Sequence, residues 1–215
     1  MVLYLLFDLE TTGLPLVYNA SYEYLENWPR IVQISWCVCD SIGIGNDIKD
    51  YIVKPIDFTI PPESSNIHGI YQHQAIQVGH IITNVLLDLK EDMKLCDYLV
   101  AHNLNFDKQV LLSELYRLGD VEGISLVKNL QGICTKEEST EFCKLRPFRY
   151  GTWKWPKLSE LYYVLFSESI DSLKAHNSKY DVEILKKCFI NMLNLGLLKT
   201  CNISLLRNGK VYVKK

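Results

Sequence analysis

The sequence predicts an α/β domain, a mixed β-sheet with helices on both faces. Three observations lead there. Residues 2–7, Val-Leu-Tyr-Leu-Leu-Phe, form an unbroken apolar run, which suits a strand buried on both faces in the middle of a sheet. Strand-like runs follow at 31–39 and 48–53, with turn glycines at 43 and 45 between them, the pattern of an antiparallel meander. From residue 80 onward, short apolar runs alternate with segments whose apolar residues recur at helical spacing.

The elements follow in order. Residues 16–29, rich in Tyr and Asn, read as a loop, and so does 54–70 with its three prolines. A helix is predicted over 80–95, where Ile82, Val85, Leu86, Leu89 and Met93 share a face. Residues 97–101 read as a short strand. A helix then starts near Phe106 with Val110, Leu111, Leu115 and Leu118 on one side, and Gly119 ends it. A short strand is expected at 132–135, a helix at 158–166 after Pro156, and a last helix over 179–195 through Ile184, Leu185, Cys188, Phe189 and Met192. The tail carries an Asn208-Gly209 turn between strand-like runs, the signal of a small hairpin. The expected division is one domain over 1–198 and a basic extension over 199–215.

Composition narrows the function. Of the 215 residues, 48% are hydrophobic and 22% charged, and the net charge is −2. That argues against a basic protein coating nucleic acid but leaves room for a local basic groove. Seven cysteines are scattered with no Cys-x-x-Cys pair, so a zinc knuckle is not expected, and reduced core cysteines are. No basic segment precedes the first apolar run, and no apolar stretch reaches the roughly 18 residues of a membrane span. The expectation is a soluble intracellular protein, cytoplasmic, or nuclear if its source is eukaryotic or viral.

Residues 7–14, Phe-Asp-Leu-Glu-Thr-Thr-Gly-Leu, pose the chemical question. Alternation along a strand points Asp8 and Glu10 the same way. Two like charges side by side repel, and burial makes that worse, so the pair calls for a cation. Asp107 and Asp181 each fall in the first turn of a predicted helix. Taken alone, each is an acid favoured by the helix dipole.

The combination resembles the DEDDh 3′–5′ exonucleases, a family that includes the proofreading subunit of bacterial replicative polymerase, ribonuclease T and the three-prime repair exonucleases. Its three motifs are similar to "FDLETTGL" (7–14), "AHNLNFD" (101–107) and "AHNSKYD" (175–181), in the family's order. Lesser marks are "IVQIS" (31–35), "KP" (54–55), "IHGI" (67–70) and "WPKLSELY" (155–162). A sister group has Tyr four residues before the last Asp. Here that position is Asn177 and His176 fills the histidine position, which marks the histidine type.

The resemblance implies a ribonuclease H-like fold, with a mixed five-stranded sheet of antiparallel meander plus parallel strands, flanked by helices. It implies that Asp8, Glu10, Asp107 and Asp181 hold two Mg²⁺ ions, with Mn²⁺ as substitute. Hard oxygen donors suit such ions, and a pair about 3.5–4 Å apart can clamp both oxygens of an in-line displacement. In the family the first Asp bridges the two ions, the Glu and last Asp hold the ion of the attacking water, and the second-motif Asp often acts through water. His176 is the implied general base, neutral near pH 7.

The implied substrate is the 3′ end of single-stranded DNA or RNA. The backbone at Thr11 and Thr12 would hold the 3′-hydroxyl, Leu14 and Ile67 would pack on the terminal base, and Phe106 would lie against the next nucleotide. Leu14 and Phe106 suit ordinary core packing equally well. His68 reads as structural or substrate-adjacent rather than a metal ligand, and His102 and Asn103 as orienting the second motif through hydrogen bonds, with Asn103 also among the expected substrate-binding residues. The stretch 144–157 holds Lys144, Arg146, Arg149, Lys154 and Lys157 among Phe148, Tyr150, Trp153 and Trp155. It reads either as a phosphate-contacting groove through Arg146 or Arg149, or as a loop packing its tryptophans under the fold. The rival function is a non-catalytic or polymerase-associated nucleic-acid-binding module on the same fold. A stand-alone enzyme, a homodimer and a polymerase subunit stay open, as does the sugar preference, which depends on how the pocket meets a 2′-hydroxyl.

Overall fold

Strand β1 (Tyr4–Thr11) is the axis of the protein. In the computed structural model it pairs antiparallel with β2 (Ile31–Cys39), and β2 pairs antiparallel with β3 (Lys49–Ile52). On its other side β1 runs parallel to β4 (Tyr98–Ala101), and β4 parallel to β5 (Gln131–Cys134). The order is β3-β2-β1-β4-β5, the expected mixed sheet of meander plus parallel strands. The structure describes residues 1–146, 151–171 and 176–199, and the backbone of 203–206 and 210–213.

Alternation along β1 divides the core in two. Leu5, Phe7 and Leu9 pack against α3 (Ile82–Met93), α4 (Leu104–Arg117) and α5 (Val121–Asn129). Tyr4 and Leu6 point to the opposite face, against α7 (Leu158–Phe166) and α8 (Ser178–Asn194). Asp8 and Glu10 continue the Tyr4 and Leu6 side of the strand, where its apolar residues end. The expected helices at 80–95, from 106, at 158–166 and over 179–195 are α3, α4, α7 and α8.

Four helices were not expected. The stretch 54–70, read as loop, contains α1 (Pro62–His68). It has Pro at its first turn and ends on Gly69 with φ 74°, the arrangement in which proline starts a helix and a left-handed glycine closes it. Helix α2 (Gln72–Val78) follows, and with seven residues it is too short for its apolar positions to repeat. Helix α6 (Thr135–Cys143) buries only Thr135 and Ser139, so it has no apolar stripe to read. Helix α5 carries Gly123, where a Cβ would lie 2.6 Å from Leu115 Cδ2. Glycine is a poor helix former, and here its missing side chain is what lets α5 approach α4.

At the tail, β6 (Ile203–Leu206) and β7 (Lys210–Val213) pair antiparallel in a separate two-stranded sheet. The Asn208-Gly209 turn lies outside the described residues. The six described cysteines are free. Burial pushes the Cys37 and Cys39 thiols up to about 11 and about 12, so both are core residues rather than reactive thiolates. Among the described residues no helix is long and apolar enough to cross a membrane.

Phe189 seats α8 on the sheet. It is fully buried, with its ring centroid 4.9 Å from that of Tyr4 in an edge-to-face arrangement. Phe189→Ala should lower unfolding stability by about 3–5 kcal/mol in urea titration. A loss under about 1 kcal/mol would mean that the helix is held some other way.

Candidate active site

Three elements deliver four carboxylates to the end of β1. In the register of β1 and β2, Asp8 stands opposite Ser35 and Glu10 opposite Gln33, and the pairing slips between Glu10 and Thr11. Helix α8 is pinned above them. The Ser178 main-chain N–H donates to Gln33 Oε1 at 3.3 Å, and Ser178 Oγ lies 2.6 Å from Ser35 Oγ. Gln33 Nε2 and Ser35 Oγ both donate to Asp50 Oδ1 at 2.7 Å. A carboxylate only accepts, so Ser35 gives its one hydrogen to Asp50 and Ser178 is the donor to Ser35. An otherwise unpaired N–H of the first helical turn is thereby satisfied, and Asp181, within that turn, is held over the strand.

The second acid comes from the other layer. Asn103 precedes α4 in a left-handed conformation, φ 97°. It turns the chain from β4 into the helix whose first turn carries the buried Asp107. His102 fixes this corner. Its Nε2 lies 3.0 Å from the Pro156 carbonyl and its Nδ1 3.0 Å from Thr135 Oγ1. Burial lowers its pKa to about 4, so it is neutral. The carbonyl can only accept, so Nε2 carries the hydrogen and Nδ1 accepts from Thr135.

Crowding sets the electrostatics. Burial, then the charges of Asp107, Asp181 and Glu10, push the Asp8 carboxyl well above its usual range. Glu10 rises to about 8 through burial and the charges of Asp181 and Asp107. Asp107 rises to about 8 through burial, opposed by main-chain N–H groups of Asp107 and Leu9 and by the charge of Lys136. Asp181 rises only to about 6, because the His176 charge and its main-chain N–H, 3.2 Å from Oδ2, oppose burial. Such a set is relieved by protons or by a cation. Ligand atoms of Glu10, His176 and Asp181 lie within 4.8 Å of one another. Clustered carboxylates with a half-open face fit a hard divalent ion.

The remaining expected residues surround this point. His176 is exposed at the mouth with φ 63°. His68 is buried. Its Nδ1 accepts from the Ile70 N–H at 3.1 Å, while Nε2 is buried without a partner. Burial and the charge of His176 lower its pKa, and the Thr11 carbonyl opposes them, which places His68 beside the motif turn. Thr11 Oγ1 donates to the Gly13 carbonyl at 2.7 Å. Thr12 N–H donates to the Arg30 carbonyl at 3.0 Å and Thr12 Oγ1 accepts from the Arg30 N–H at 2.9 Å, so the Thr12 main-chain donor is already used. Leu14 and Ile67 are 71% and 60% exposed, which removes the core reading of Leu14. Phe106 is half-buried against the α3–α5 side of the core. Asn103 Oδ1 accepts from Lys136 Nζ. Arg146 is exposed, and Arg149, with Phe148 and Tyr150, lies outside the described residues. Trp153 and Trp155 are not packed under the fold.

Sequence reasoning gave no role to Gln33, Ser35, Ser178 and Lys136. The first two had a signal, because polar residues at alternate positions of an apolar strand face the same way as the acids opposite.

A family model described as Exonuclease (RNase_T) matches residues 5–190. The chain belongs to this exonuclease family. All four acids and His176 lie within the matched span. Among solved structures, zinc-bound E. coli exonuclease I in complex with single-stranded DNA is similar at 18% identity and TM-score 0.65, over 92% of this chain and 42% of that one. Exonuclease X in complex with 5′-overhanging duplex DNA is similar at 22% and 0.57, over 89% and 92%. A 3′-exonuclease that recognises the 3′ end of the histone mRNA stem-loop is similar at 14% and 0.65, over 99% and 90%. At these identities the shared property is the fold. This exonuclease-family chain spans less than half the length of exonuclease I, and no curated protein matches it.

The raised carboxyls make stability depend on pH. The folded protein binds protons more tightly than the unfolded chain, so stability falls as pH rises between the unfolded carboxylate range and about 8. The midpoint of thermal unfolding in EDTA should therefore drop from pH 5 to pH 8, and Mg²⁺ at pH 8 should restore it. A flat profile without metal would contradict the crowding.

Proposed function

We propose that this domain removes nucleotides one at a time from the 3′ end of single-stranded nucleic acid, DNA in preference to RNA, and releases nucleoside 5′-monophosphates. The observation that carries the reading is the convergence of Asp8, Glu10, Asp107 and Asp181 beside His176, inside the span matched by the exonuclease family. The fold neighbours include exonucleases in complex with DNA and one that recognises an mRNA 3′ end, so the choice of DNA is the part of the proposal that the digestion below decides. The catalytic unit is residues 1–198, with 199–215 as an appendage. All five residues come from one chain, so no second subunit is needed to complete the site.

The four carboxylates would hold two divalent ions, Mg²⁺ or Mn²⁺, which when bound supply Lewis-acid neutralisation of the phosphate and an acidified water. His176, reachable from solvent and within 4.8 Å of Glu10 and Asp181, takes the proton of the attacking water as a neutral imidazole. Its left-handed backbone and main-chain bond to Asp181 hold it at the mouth. Leu14 and Ile67 offer exposed apolar surface to the terminal base and Phe106 to the next. With the Thr12 N–H spent on Arg30 and the Thr11 hydroxyl on Gly13, the 3′-hydroxyl would meet the Thr12 hydroxyl and the buried His68 beside the turn. Asn103 keeps its amide N–H donors for the strand, and the exposed Arg146 would contact the phosphates upstream; Arg149 is the second expected phosphate contact.

Timed digestion of 5′-labelled DNA and RNA oligonucleotides with Mg²⁺, Mn²⁺ or EDTA tests this. A ladder shortening from the 3′ end is expected, faster on DNA, absent in EDTA and slowed about a hundredfold or more in Asp8→Ala. A folded wild-type protein that leaves both polymers intact would move the domain to the binding-module reading.

His176→Ala should slow cleavage by roughly 10²–10⁴. An unchanged rate would remove His176 as the base.

A further inference from the structure

Trp155 stands outside the acidic constellation but is tied to it. The segment bearing it is fastened on both sides. The Pro156 carbonyl bonds His102, Lys157 N–H donates to Glu160 Oε2 at 2.8 Å, and Lys154 pairs with Glu160. Trp155 nonetheless remains 59% exposed. An indole has a large apolar surface that water disfavours, and a loop free to move would fold it in. Here the backbone is fixed and the ring stays out.

One lysine joins this ring to the active site. Lys136 Nζ lies 4.4 Å from the Trp155 ring centroid and also donates to Asn103 Oδ1. Asn103 is the residue that turns β4 into the helix carrying Asp107. Glu137 and Glu138, beside Lys136 in α6, line a cleft of about 360 Å³ with Lys108, and Trp155 is not among its lining residues.

We infer that Trp155, backed by Lys136, is a stacking shelf for a base of the substrate strand upstream of the two nucleotides nearest the carboxylates. The inference rests on the proposed 3′-end reading. Its chemistry is that of single-stranded recognition. Every base has a π-face, so an indole accepts any of them, and a cation beside the stack favours the adjoining phosphate. The lysine occupies one side of the ring while more than half of the residue stays accessible. Continuity through Asn103 sets the shelf next to the reacting end rather than elsewhere on the surface.

The test is the length dependence of binding. Anisotropy of labelled trinucleotide and dodecanucleotide DNA is measured in Ca²⁺ with the wild-type protein, Trp155→Ala and Trp155→Phe. The wild type should bind the longer strand more tightly. Trp155→Ala should reduce the long-to-short affinity ratio by about fivefold or more, and Trp155→Phe should keep most of it. An unchanged ratio in Trp155→Ala overturns the shelf. So does an equal loss on both lengths in both variants, which would mean a structural role. The wild-type digestion ladder is read separately. A ladder with an unchanged ratio sinks the shelf alone, whereas a reduced ratio without a ladder sinks the exonuclease reading and leaves the shelf standing.

Discussion

Repulsion among four carboxylates is the constraint on which the rest of the structure depends. Asp8, Glu10, Asp107 and Asp181 each raise another's proton affinity or have their own raised by burial, and nothing within the set draws them together. The scaffold must therefore force the approach. Strand β1 cannot shift, because Leu5 and Phe7 lock one face and Tyr4 and Leu6 the other. Helices α4 and α8 pack on opposite faces of the sheet, so their acids can meet only past its edge. That edge is the carboxyl end of the parallel strands β1 and β4, where α/β sheets place their sites.

The polar web under α8 is the counterpart of that repulsion. Gln33, Ser35 and Ser178 are buried, and a buried polar group left unpaired is costly. Each finds its partner only when α8 sits in one position, with the exposed Asp50 closing the chain of donors. Left-handed backbone at Asn103 and His176 adds strain of about 1–2 kcal/mol each for non-glycine residues. Both positions lead directly into an acid of the site, which is where such strain is tolerated.

The long loop at 16–29 belongs to the same scaffold. Asn27 bonds the N–H and carbonyl of Val17 through its side chain, and Arg117 donates to the carbonyls of Leu25 and Trp28. Arg30 bridges the buried Glu114 and the exposed Asp57 while its main chain holds Thr12. Buried ion pairs of this kind add little net stability but fix registry. Here they fix the turn after Glu10 against α4.

Local patterns determined much of this protein. Period-two alternation placed Asp8 and Glu10 together, helical spacing gave α3, α4, α7 and α8, and three short motifs in order marked the family and its acids. These are legible because each depends only on residues within a few positions of one another. Helices α1, α2, α5 and α6 were not legible, being short or without an apolar stripe. The burial that raises the carboxyls, the Ser35–Ser178 contact across 143 residues, the spent main-chain donor of Thr12, the exposure of Leu14 and the link from Lys136 to Trp155 were decided by tertiary structure alone. Each joins segments distant in the chain, and a sequence pattern carries the chemistry of a side chain but not which distant group will stand opposite it.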